Sequence, residues 1–166
     1  MADKALYILA GYDDTTEKRL SDIQNKLYEA GFTGRHTKNI PQHITLASFP
    51  TDKEDALISK LQSVSETAAP FEVTFNHVGI FGGARVMFIA PDSNHKLLEL
   101  QETFSDSRGW TPHTTMLIDE PDEIFRALPL VMDAFSSFSG SVTTLHLYEF
   151  FPTRHILSVQ LMGRKC

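Results

Sequence analysis

Residues 41–49 read Pro-Gln-His-Ile-Thr-Leu-Ala-Ser-Phe, and residues 112–118 read Pro-His-Thr-Thr-Met-Leu-Ile. Each stretch holds the pattern His-x-Thr-x behind a nearby proline: His43-Ile44-Thr45-Leu46 in the first, His113-Thr114-Thr115-Met116 in the second, 70 residues apart. Side chains alternate faces along an extended chain, so residues two apart point the same way. His43 therefore shares a face with Thr45, and His113 with Thr115. Ile44 and Leu46 turn to the opposite face, as do Thr114 and Met116. The second copy thus has a polar residue, Thr114, where the first has Ile44.

The flanking sequence repeats as well. Lys4–Gly11 reads as an apolar strand. Asp13 to Glu17 starts a helix with an acidic first turn, continued by Leu20, Ile23 and Leu27 and stopped at Gly31. Residues 31–42 form a loop, and His43–Phe49 a strand. Thr51 to Glu54 fits a capping box before the stripe Leu57, Leu61, Val64. Phe71–Phe81 is a strand with Phe71, Val73, Phe75 and His77 on one face, and Gly82-Gly83 a two-residue hairpin signal. Arg85–Ala90 follows as a strand, then a helix capped by Asp92 or Ser93 with Leu97, Leu100, Gln101 and Phe104. A loop at 105–111 leads to the strand 113–118. A helix opens at Pro121, with Pro129 expected to kink or restart it and the stripe resuming at Met132 and Phe135. Strands at Ser141–Phe150 and Arg154–Met162 close the chain.

The order is β-α-β-α-β twice, plus one strand. It predicts an α+β fold: two pseudo-symmetric sheet lobes with helices packed outside, facing each other across a central cleft. Residues 1–166 form one bilobal domain in this reading, with halves near 1–82 and 83–151 and a closing strand at 154–163.

The chain has 166 residues and a formal charge of −6, from 15 Lys+Arg and 21 Asp+Glu. Duplex-binding proteins draw most of their affinity from phosphate neutralisation and are basic, so duplex DNA is not an expected partner. No apolar run approaches the ~20 residues of a membrane span, and no signal peptide is expected. One cysteine, Cys166, builds neither a disulfide framework nor a cysteine zinc site. The expected location is cytoplasmic.

Two facing His-Thr pairs suit in-line displacement at phosphorus. One neutral imidazole takes a proton from the attacking oxygen, and one imidazolium gives a proton to the leaving oxygen. The Thr45 and Thr115 hydroxyls donate to the non-bridging oxygens. No metal or other cofactor is called for. The near symmetry of the copies leaves open which histidine is the base.

Here the chain resembles the 2H phosphoesterase superfamily, whose signature is two His-x-[Ser/Thr]-hydrophobic motifs, and within it the 2′-5′ RNA ligase-like, RNA 2′,3′-cyclic phosphodiesterase group. The resemblance rests on residues 41–49, 78–91 and 112–118 and on element order along nearly the whole chain. It implies metal-independent opening of a 2′,3′-cyclic phosphate on an RNA terminus or small nucleotide. Some members open the cyclic phosphate of an ADP-ribose derivative, and some join RNA ends in reverse. It also implies His113 as base and His43 as acid. The alternative is a nucleotide- or RNA-end-binding module that keeps the cleft and does no chemistry.

A nucleobase needs an aromatic platform, for which Tyr7, Phe81 and Trp110 are the candidates. Arg35, Arg85, Arg108 and Arg154 are the candidates to steer phosphate. His77 is expected in the core or at the cleft edge, and His36, His95, His146 and His155 to be surface or structural.

Overall fold

The computed structural model describes residues 3–164; Cys166 lies outside them. The elements run β1 (Ala5–Tyr12), α1 (Asp14–Glu29), β2 (His43–Phe49), α2 (Glu54–Thr67), β3 (Phe71–Ile80), β4 (Val86–Pro91), α3 (His95–Glu102), β5 (Thr114–Ile118), α4 (Pro121–Ala134), β6 (Phe138–Phe150) and β7 (Arg154–Gln160). This is the order the sequence predicts. Asp13 caps α1 by accepting from the Thr16 N–H at 3.0 Å. Leu20, Ile23 and Leu27 form its buried stripe, and Gly31 ends it at φ 92°, a conformation open to glycine. Among the described residues, no helix is long and apolar enough to cross a membrane.

All strands join one antiparallel sheet in the order β2-β1-β6-β3-β4-β5, with β7 added to β6. The expected lobes are two wings of this sheet sharing β6. Its first part, from Phe138 to Val142, pairs with β3, and from Val142 onward it pairs with β1. Strand β7 takes over the side that β3 leaves, from Thr144 to Glu149. The main core lies on the helix side, with Leu6, Ile8, Leu20, Ile44, Leu46, Phe75, Met87 and Met116 in one cluster.

Strands β2 and β5 are the outer edges of the two wings, and edge strands leave backbone groups unpaired. Side chains from the opposite half satisfy several of them. The Thr114 hydroxyl on β5 donates to the His43 carbonyl at 3.0 Å. With its proton so used, it accepts from the Tyr12 hydroxyl at 2.6 Å. Burial holds Tyr12 well above its usual pKa, so it stays a donor. Trp110 Nε1 donates to the Thr45 carbonyl at 3.0 Å. The register of β2 on β1 slips between Ile8 and Leu9, which leaves Leu46 as a bulge residue; its carbonyl accepts from Gln101 Nε2 of α3 at 3.3 Å. The register of β5 on β4 slips likewise and bulges Met116; its carbonyl accepts from Gln24 Nε2 of α1 at 3.0 Å. Each motif is thus held at the same place by a glutamine from the other half's helix.

Several boundaries differ from the reading of the sequence. Residues Thr51–Lys53 form a 3-10 turn behind Pro50, and α2 starts at Glu54 without a side-chain cap. Asn94 caps α3 by accepting from the Leu97 N–H; the Asp92 N–H is already committed to the Thr74 carbonyl. The hairpin after β3 has a four-residue loop, because Phe81 and Val86 still bond across it. Pro129 leaves α4 one helix; Phe125 and Pro129 are both exposed and lie off its buried stripe. Met132 is exposed, and the buried stripe is Ile124, Ala127, Val131. Strand β6 begins at Phe138, before the expected Ser141, and these extra residues pair with β3. A bulge at Asn76 shifts the register of β3, so His77 leaves the core face and stands exposed, 3.6 Å from Asp92.

The bond from Thr114 gives a direct test. Thr114→Val keeps the shape but strips a buried donor and acceptor of their partner, for a loss of about 1–3 kcal/mol in urea unfolding. Adding Tyr12→Phe removes the stranded hydroxyl, so the double variant loses less than the sum of the two single changes.

Candidate active site

The two motif histidines are held identically. His43 Nδ1 lies 2.7 Å from the Pro41 carbonyl, and His113 Nδ1 lies 2.8 Å from the Thr111 carbonyl, each two residues back along the chain. A carbonyl only accepts, so Nδ1 carries the hydrogen and Nε2 of each neutral ring is the nitrogen available to a ligand. The prolines belong to this device: Pro41 supplies the carbonyl for His43, and Pro112 fixes the chain between Thr111 and His113.

Burial lowers the proton affinity of His43, and a charge on His113 would lower it further, against the opposing pull of the Pro41 carbonyl. Burial lowers that of His113 too, opposed by the Thr111 carbonyl. Each imidazole thus prefers the neutral form, and their mutual repulsion disfavours two protons on the pair.

Two adjoining cavities meet at the motifs. One of about 250 Å³ is lined by His43, Thr45, Thr115, Gln42, Tyr7 and Phe150, among others. The other, of about 320 Å³, is lined by His113, Thr45, Tyr7, Phe81 and Trp110, among others. Tyr7 and Thr45 belong to both. Between them the two adjoining cavities take in all four motif residues and all three aromatic candidates, with His43 and Thr115 on the first and His113, Phe81 and Trp110 on the second. Phe81 meets the His113 ring edge-on, with centroids 4.7 Å apart and planes at 90°. Trp110 is a cavity wall and, through its bond to the Thr45 carbonyl, a strap as well.

The four arginines do not converge on the groove. Arg35 and Arg85 both pair with Glu120 at 2.8 Å, Arg108 pairs with Asp106, and Arg154 bridges Glu54 and Glu149. Among the described residues, no cluster of three or more His, Cys, Asp or Glu is placed to hold a metal ion.

Two residues that line the first cavity are absent from the sequence reading. Phe150 and Phe151 line the first cavity, and Phe150 packs 5.3 Å from Tyr7. His146 is buried on the same face of β6 as Tyr148 and Phe150, opposite Leu9 of β1. The two-residue spacing of 146, 148 and 150 was the available signal. His36 also borders the first cavity, and its Nε2 shares a 2.6 Å hydrogen bond with the Tyr28 hydroxyl. His95 and His155 are exposed.

Solved structures share this architecture. The crystal structure of E. coli LigT complexed with 3′-AMP is similar at 18% identity and TM-score 0.63, over 96% of this chain and 98% of that one. TT0787 of Thermus thermophilus is similar at 14% identity and TM-score 0.65, over 97% and 100%. E. coli LigT complexed with ATP is similar at 19% identity and TM-score 0.61, over 96% and 98%. At such identities the likeness is one of fold. A comparison with curated protein sequences returns no match. The sequence model of the 2′-5′ RNA ligase superfamily matches residues 12–150, a span that takes in both His-x-Thr motifs and the strands that carry them. The chain therefore belongs to the 2′-5′ RNA ligase superfamily, as its paired motifs implied.

Proposed function

We propose that the protein is a metal-independent phosphodiesterase that opens 2′,3′-cyclic phosphates of RNA ends or small nucleotides. The observation carrying this reading is the matched pair of imidazoles, each with Nδ1 tied to a backbone carbonyl and Nε2 available in a shared groove. Water attacks phosphorus as His113 Nε2 takes its proton. The bond from phosphorus to one ribose oxygen breaks, and His43 Nε2–H gives that oxygen its proton. The product is a phosphate monoester, and the two rings have exchanged protonation states. Thr45 and Thr115 donate hydrogen bonds to the non-bridging oxygens as charge gathers there. The same ring-opening with the 5′-hydroxyl of a second RNA end as nucleophile in place of water, and the 3′ oxygen as the leaving group, is 2′-5′ ligation; run backwards, it cleaves that linkage.

Repulsion within the pair disfavours two protons; the reaction runs through the form with a single proton, carried by His43. The second cavity, with Tyr7, Phe81 and Trp110 beside His113, is the place for a nucleobase. That E. coli LigT has been crystallised with 3′-AMP and with ATP supports a nucleotide ligand here. The acidic balance favours a small nucleotide or single RNA terminus over a duplex. The low cysteine content supports a cytoplasmic setting.

Turnover of 2′,3′-cyclic AMP tests the assignment. His43→Ala and His113→Ala should each lower kcat about 10²–10⁴-fold while leaving the circular dichroism spectrum unchanged. Normal turnover by either variant refutes the pair. Binding of the cyclic nucleotide without product in the unmodified protein would instead identify a binding module. Millimolar chelator should leave the rate unchanged; loss restored by a divalent ion would overturn the metal-free mechanism.

The pH profile gives a second test. Both imidazoles are lowered in the free protein. The acid limb of kcat/KM, where the base takes up a proton, and the alkaline limb, where the acid loses one, therefore both move down. The bell should centre below about 6.5, the ordinary imidazole value. A bound phosphate anion favours the charged rings, so the bell in kcat should lie at higher pH. Profiles of kcat/KM and kcat that coincide would count against this electrostatic account.

A further inference from the structure

Strand β1 pairs Gly11 with His43 on one side and with Thr144 on the other, two residues from the pair Leu9–His146 on the same face. Gly11 has no side chain, and His146 occupies the space: a Cβ there would lie 2.5 Å from His146 Nε2. The third imidazole therefore reaches across β1 toward His43. Its other nitrogen, Nδ1, lies 2.6 Å from the Ser158 hydroxyl on β7. The same hydroxyl lies 2.8 Å from Nε2 of the exposed His155.

One hydroxyl has one proton to give. Ser158 thus donates to one imidazole and accepts from the other. His155 is exposed and can donate in either charge state. His146 is buried, and burial, with charges on His43 and His155 acting in the same sense, lowers its pKa to about 4. Tyr148 is a further titratable neighbour, its ring 6.2 Å away; the facing β1 positions are Gly11 and Leu9. His146 is therefore neutral at working pH, with one N–H to place. An anion in the groove favours the order His155 Nε2–H to Ser158 Oγ, Ser158 Oγ–H to His146 Nδ1, and His146 Nε2–H toward the anion.

We propose that His146 is a third substrate-contacting imidazole: oriented by Ser158 and His155 across the gap left at Gly11, its Nε2–H donates to the phosphoryl group bound between His43 and His113. This rests on the phosphoesterase reading. It adds a neutral donor to the two threonines at a site where the arginines are committed elsewhere. His146 touches substrate; Ser158 and His155 are positioning residues that set its tautomer.

The test compares His146→Gln, which keeps an N–H donor of similar reach, with His146→Leu, which keeps bulk alone. With 2′,3′-cyclic AMP, His146→Leu should lose about 10²-fold in kcat, the usual cost of one oxyanion donor. His146→Gln should stay within about tenfold of the unmodified protein, by the same measure. Imidazole nitrogen NMR should show His146 as the Nε2–H tautomer, its resonance shifting on addition of adenosine 2′-monophosphate. In Ser158→Ala, that tautomer preference should weaken. Equal losses in the Gln and Leu variants would mean a packing role and overturn the proposal, as would a His146→Leu variant with normal kcat. If the unmodified protein fails to open the cyclic nucleotide, the phosphodiesterase reading falls alone. The NMR titration then decides His146: a shifted resonance keeps the contact, and an unmoved one at saturation removes it.

Discussion

One buried hydroxyl, that of Thr114, ties the two motifs together. It donates to the backbone of His43 and accepts from Tyr12, linking the second motif to the first and to β1, the strand beside the shared β6. Edge strands tend to recruit foreign strands. Here the two edges of one sheet are turned toward each other, and their spare carbonyls are satisfied by Thr114, Trp110, Gln101 and Gln24. Direct backbone pairing of β2 with β5 would close the groove; side-chain straps hold the strands near while keeping it open. The departure of Thr114 from an apolar residue is thus a structural requirement of the second motif.

The electrostatics are as economical as the packing. Arg35, Arg85, Arg108 and Arg154 are paired with Glu120, Asp106, Glu54 and Glu149. What faces the groove is neutral: imidazoles lowered by burial, two threonine hydroxyls and aromatic rings. Neutral donors hold an anion without a full countercharge, and they leave the imidazoles free to exchange protons.

Much of this was legible in the chain. The repeated His-x-Thr-x and its alternation placed His43, Thr45, His113 and Thr115 on facing strands, and the periodicities gave every helix and strand in order. What stayed hidden depended on long-range register. The bulges at Leu46, Asn76 and Met116 add one residue to a strand, and no local signal marks them; the one at Asn76 turned His77 outward. His146 looked ordinary because its meaning comes from a missing side chain at Gly11 and a hydroxyl on β7, neither near it in sequence. Pro129 and Met132 misled because a helix packed on one side tolerates at its outer surface what its inner stripe would not.

Strand β6 runs unbroken through both wings, and Val142 belongs to both ladders, paired with Tyr12 on one side and Phe71 on the other. No flexible connector lies at that junction. The compliance of the groove is accordingly that of a hydrogen-bonded ribbon in torsion, far stiffer than a hinge loop. Such a frame works as a fixed gauge: it admits whatever already matches its span and does little to wrap around the rest.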